Sequence, residues 1–121
     1  MVLFYGGANA AETSRSEELM QERVVVLEAL VKVVEMQFEE ATVSSRQVLE
    51  AMNELVAAKL AVARDQEARV ALRKEMLTNL VALEKVVKAQ SEAGLGGPED
   101  ALRAQAARLK AEAMLLRESG N

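Results

Sequence analysis

Arg64, Arg69, Arg73 and Lys74 fall within one short stretch and form the densest set of groups in this 121-residue chain that could hold an anion. Guanidinium forks suit carboxylates and phosphates. Asp65, Glu67 and Glu75 are interleaved with these bases, so the stretch reads first as a solvated face laced with ion pairs. Carboxylates pair at Glu39/Glu40 and Glu99/Asp100, but acid–base work needs a pocket that shifts their pKa values. The chain has no His and no Cys, which removes the commonest metal ligand, the usual proton shuttle and thiolate chemistry. Met20, Met36, Met52, Met76 and Met114 are scattered and suit core filling better than a soft-metal site. Gly94, Gly96 and Gly97 precede a helical pattern, yet no strand comes before them and no Lys-Ser/Thr pair follows, so they do not form a phosphate loop. The expectation is therefore no enzyme: no catalytic, cofactor-binding or metal residues, and no cofactor.

Whatever this protein does must then be done by surfaces, and the composition says which kind. Half of the residues are apolar, yet the aromatics are one Tyr and two Phe. Ala, Leu, Glu, Lys, Arg, Gln and Met dominate, all strong helix formers, and neither Gly nor Pro occurs between Ala8 and Ala93. The chain reads as all-α. Its formal charge of −4, with both signs interspersed, argues against a nucleic-acid partner, which needs a basic stripe. No apolar run approaches the roughly 20 residues of a membrane-spanning helix.

The elements follow from periodicity. Residues 1–12 are set apart as disordered or as a signal-peptide remnant, because a short apolar patch leads into Ala8-Asn9-Ala10, a small-x-small triad. A single helical domain is expected over 13–119. Ser14 and Glu17 suggest a capping box. Met20, Val24, Leu27, Val31, Val34 and Phe38 then alternate in spacings of four and three, a coiled-coil seam. Val26, Leu30 and Val33 add a second stripe that one helical partner would leave uncovered. Thr42, Val43, Ser44 and Ser45 mark a turn, and Ser44 with Gln47 makes another capping box. From Ser45 to Glu92 nothing stops a helix, which predicts one central helix of about 48 residues, roughly 70 Å long. Its seam is Val48, Ala51, Leu55, Ala58 and Val62, resuming at Leu72 and continuing through Met76, Leu80, Leu83 and Val87, with Asp65 and Arg69 as charged interruptions. Leu95, Gly96, Gly97 and Pro98 then reverse the chain, with Gly94 to end one helix and Gly97 and Pro98 to start the next. The third helix, about 98–118, carries Leu102, Ala106, Leu109, Ala113 and Leu116 as its seam.

Displaced by about 53 residues, the sequence overlies itself. Leu27/Leu80, Lys32/Lys85, Val34/Val87 and Gln37/Gln90 match before the turns, and Leu49/Leu102, Ala51/Ala104 and Ala58/Ala111 match after them. The chain thus reads as two tandem helix-turn-helix repeats, about 22–65 and 75–118. One unbroken central helix would put the two turns at opposite ends of an elongated rod of antiparallel, coiled-coil-like hairpins with three helices. A compact bundle broken near Asp65 is the structural alternative. The Ala-rich faces Ala51/Ala57/Ala58 and Ala104/Ala107/Ala111 need cover, which points to self-association or a helical partner.

The second turn region, through Gly94, Asp100, Leu102, Ala104, Gln105, Leu109, Ala111 and Glu112, resembles the repeated helical hairpin of TolC-type outer-membrane efflux proteins. The first resembles it through Val48, Leu49, Ala51, Leu55, Ala58, Lys59 and Arg64, with Ala41 where Gly is usual and Gln47 where an acid is usual. The resemblance covers about residues 22–118 and implies a periplasmic or cell-envelope helical module that acts by helix packing. Its hairpin tips, Thr42 to Ser45 and Leu95 to Pro98, would contact a protein such as a periplasmic adaptor. The basic cluster is similar in kind to the Arg and Lys set with which all-helical chorismate mutases hold a dicarboxylate. The alternative is a small soluble coiled-coil scaffold or chaperone-like binder, cytoplasmic and with no export role.

Overall fold

The structure is a computed structural model that describes residues 2–120, with side chains from residue 12 onward. Every regular element among the described residues is an α-helix: α1 (Val2–Glu39), α2 (Ser45–Val62), α3 (Gln66–Glu92) and α4 (Pro98–Glu118). There are four helices, not three. The expected central helix breaks at residues 63–65, between α2 and α3.

The break is built from the two charges that interrupted the seam. Asp65 caps α3, its carboxylate accepting from the Ala68 amide at 3.0 Å. Arg69 reaches back and donates to the Leu60 and Ala63 carbonyls at 2.8 and 2.9 Å, satisfying the open end of α2. Its Nε donates to Glu118 at 3.1 Å, and Gln66 also bonds the Glu118 backbone oxygen, so the end of α4 closes the corner. Asp65 and Arg69 are therefore corner residues and not an exposed mid-helix patch.

With the corner in place, α1 packs on α2, α2 on α3 and α3 on α4, and among the described residues no other pair of helices packs backbone to backbone. Each helix runs antiparallel to the next. Glu17 of α1 pairs with Arg64 beyond the end of α2, Arg46 of α2 meets Gln90 of α3, and Glu118 of α4 meets Arg69 and Arg73 of α3. The two turns consequently lie at the same end of the molecule, which corrects the expectation of opposite ends.

α2 is apolar on two sides because it has two neighbours. Ala51 and Ala58 of the expected seam are buried, and Ala51 lines a shallow groove together with Leu30 and Val34 of α1. On the opposite side, Val56 and Leu60 are buried with Leu49 half-buried, on the flank from which Arg46 reaches α3. In α1 the expected stripe Met20, Val24, Leu27, Val31 and Val34 is the half-buried one, whereas Phe38, Val26 and Val33 are exposed.

In α4 the expected seam faces outward. Leu102, Ala106, Leu109, Ala113 and Leu116 are all exposed, and the inner side is Ala104 and Ala111. Arg108 and Glu118 also lie half-buried on that side. Small residues let α4 approach α3 closely, so the Ala-rich faces are covered within the chain, Ala57 excepted.

α1 carries helical backbone from Val2, so Ser14 lies inside a helix and caps nothing. The expectation of a disordered segment or leader remnant over 1–12 falls on residues that, apart from the helical backbone of 2–12, lie outside the described set.

The two turns share one backbone design. Thr42 N donates to Gln37 O and Leu95 N to Gln90 O, both at 2.8 Å, the long bond of a helix-ending Schellman motif. Ala41 and Gly94 take the left-handed residue in each, at φ 60 and 75. Equivalent positions are related by the same offset that aligns the sequence repeats. A Cβ in this region costs about 1 kcal/mol. Ala41→Gly is therefore expected to stabilise the protein by about 0.5–1 kcal/mol, and Gly94→Ala to destabilise it by about 1 kcal/mol. Urea midpoints at constant m-value read both.

Candidate functional site: the paired turns

Each turn ends in a helix start that the sequence encodes locally. Ser44 is the N-cap of α2: its hydroxyl accepts from Gln47 N at 3.3 Å, and Gln47 Oε1 accepts from Ser44 N at 2.9 Å, the reciprocal capping box. Gly97 takes the same place before α4, with Pro98 at the first helical position and Glu99 and Asp100 in the first turn, where acids favour the positive helix end.

The structure brings the two expected contact segments to one end. Thr42, Ser44 and Ser45 are exposed, with Val43 half-buried. Leu95 and Pro98 are exposed, with Gly96 and Gly97 partly covered. Leu95, at 79 % exposure, is the most exposed large apolar side chain described. Arg46, one turn into α2, ties the segments together, donating to Gln90 Oε1 at 3.3 Å and pairing with Asp100 at 3.8 Å. It also pairs with Glu50 at 3.2 Å on its own helix. Sequence reading passed over Arg46. No local pattern could have found it, because its partners Gln90 and Asp100 lie 44 or more residues away.

The basic cluster resolves differently. Arg69 and Arg73 both hold Glu118, at 3.1 and 3.3 Å, and Arg64 pairs with Glu17. Three of its four bases are thus engaged within the chain, which leaves Lys74 exposed beside them. Arg108 of α4 is held by Glu84 of α3 and, at 3.2 Å, by Glu112. The hydrogen bond with Glu84 raises the guanidinium pKa above its ordinary value, and Glu112 adds to this against desolvation. Such an arginine stays charged at any working pH, so this bridge fixes the α3–α4 register without acting as a switch.

A cleft of about 490 Å³ lies between α1 and the end of α2, walled by Glu17, Met20, Val62 and Arg64. Its charged groups are the ones already paired. Among the described residues, no three acids lie close enough to hold a metal ion, and no helix is long and apolar enough to cross a membrane.

No protein-family model matches this chain, and comparison with curated proteins and with solved structures likewise gives no match.

Proposed function

We propose that this chain is a non-enzymatic helical packing module that binds a protein partner through its paired turns, in the manner of the cell-envelope hairpins it resembles. The observation that supports this reading is the placement of Thr42–Ser45 and Leu95–Pro98 at one end, linked through Arg46. Two helix starts sit side by side there, with Leu95 uncovered between polar neighbours. A partner helix or loop that buried Leu95 would gain about 1.5–3 kcal/mol from that side chain alone. The polar groups of Thr42, Ser45 and Glu99 would supply orientation.

Site-specific photo-crosslinking in the source cells tests it. A photoreactive residue at Thr42 or at Leu95 is expected to label one and the same helical protein of the cell envelope. The same probe at Glu67, at the opposite end, should not. Absence of adducts at both turn positions, or equal labelling at Glu67, would defeat the reading. A shared cytosolic adduct would instead favour the scaffold with no export role.

A further inference from the structure

We infer that this chain docks copies of itself head to tail, the outer face of α4 in one copy receiving the outer face of α1 in the next. The inference rests on reading the chain as a packing module, but it concerns the flanks of the helices and not the turn end.

The repeat supplies the argument. Leu49 and Val56 of α2 lie on the side that packs against α3. Carried forward by the repeat offset, they become Leu102 and Leu109 of α4, which are exposed at 65 % and 49 %. Leu72, Asn79 and Val86 lie on the α3 side that packs against α2, in line with Gln90 where it meets Arg46. Carried backward, they become Leu19, Val26 and Val33 of α1, all exposed. The one interface that joins the two hairpins inside the chain is therefore present a second time as two separate open faces. They sit on the two helices that have a neighbour on one side only. An α1 placed on an α4 repeats the α3-on-α2 contact.

Two further observations favour a second copy as the occupant. The internal interface contains Asn53 and Asn79, whose Oδ1 and Nδ2 are buried without partners. Their counterparts on the open faces are Ala106 and Val26, so the contact between copies carries no such orphaned groups. The open faces also differ in charge. Arg103, Lys110 and Arg117 line one flank of the α4 stripe, all exposed at heptad spacing. Around the Leu19, Val26 and Val33 stripe α1 carries exposed charges of both signs, Glu12, Glu18 and Glu22 with Arg15 and Arg23, and no basic flank. A basic flank on α4 faced by a mixed one on α1 favours α1 as the partner and disfavours α4 on α4, where like charges would meet. Such a joint is heterologous, so it closes as a ring or continues as a chain.

The register also follows. The Arg46–Gln90 contact and the bonds from Arg69 to Leu60 and Ala63 bracket Asn53 and Asn79 between α2 and α3. The equivalent antiparallel docking sets Ala106 of one copy beside Val26 of the next.

Light scattering and circular dichroism on wild type and two surface variants test the inference. Wild-type mass is expected to rise with concentration. Val26→Glu and Leu109→Glu, at exposed helical positions that tolerate Glu, should keep full helicity and weaken self-association about ten- to a hundredfold. Mixed together, the two variants should form one-to-one heterodimers, because each retains the face the other lacks. The chain has no cysteine, so Val26→Cys and Ala106→Cys copies should form a disulfide when mixed and not when alone. A wild type that stays monomeric at all concentrations overturns the inference and leaves the turn-end reading to its own crosslinking test. So does a Glu variant that assembles undiminished, or a mixture that does not reassociate.

Discussion

Arg69→Leu is expected to destabilise the fold by about 2–3 kcal/mol, although it places an apolar residue back on an interrupted apolar seam. Arg69 makes three bonds at once: to the Leu60 carbonyl, to the Ala63 carbonyl and to Glu118. Hydrogen bonds to charged groups contribute about 1.5–3 kcal/mol, and a carbonyl left bare at a helix end costs about 1–3 kcal/mol when water cannot reach it. Here the side chain retains 26 % exposure, so water recovers part of that loss. Glu118 keeps Arg73 at 3.3 Å, which limits the damage on the α4 side. Adding Asp65→Ala removes the α3 cap for about 1 kcal/mol more and leaves Gln66, bonded to the Glu118 backbone oxygen, as the remaining side chain that closes the corner. The double variant should therefore unfold at markedly lower urea and show a larger radius of gyration in small-angle scattering, as α2 and α3 begin to merge. Wild-type dimensions and stability in the double variant would mean that the corner does not depend on these side chains.

Leu60→Ala should cost about 2–4 kcal/mol, the transfer loss plus the cavity it leaves. Leu60 is only 7 % exposed, on the α2 face turned toward α3. Leu109→Ala, on the seam that heptad spacing alone would have chosen as core, should change the stability of the monomer by no more than about 0.5 kcal/mol. Thermal or urea unfolding at low protein concentration compares the two. The reverse order would place the core on the wrong side of α4.

The contrast between these leucines shows why heptad spacing was a partial guide. Spacing identifies a stripe but not what lies opposite it. In α1 and α2 the expected stripes face each other and are at least half-buried from Met20 to Val34 and from Val48 to Val62. In α4 an equally regular stripe points outward, and the inner face is a line of alanines interrupted by Arg108. That line was visible as Ala104, Ala107 and Ala111, and in the other repeat as Ala51 and Ala58, but alanine carries too little hydrophobic weight to outrank leucine in a periodicity argument. The candidate contact segments were legible because turns are written locally, in Ser44 with Gln47 and in Gly97 with Pro98. Their meeting at one end was not, because it depends on the corner.

Residue order alone determined the all-helical character, the two turns with their caps at Ser44 and Gly97, and the left-handed helix end at Gly94, whereas the same conformation at Ala41 shows only in the backbone. These are short-range properties, set by propensity, capping geometry and backbone sterics within a few residues. The bend at 63–65 was decided only by tertiary structure. Ala63, Arg64 and Asp65 include no obligatory helix breaker, and a straight helix would gain a few hydrogen bonds worth about 1 kcal/mol each. Against that, folding α3 back onto α2 buries Val56 and Leu60, together with the α3 side chains opposite them, at about 1.5–3 kcal/mol per large side chain. Asp65 and Arg69 recover most of the lost backbone bonding. The balance favours the bend by packing between residues distant in sequence; its local trace is confined to Asp65 and Arg69, which interrupt the seam and permit a break near Asp65 without obliging one.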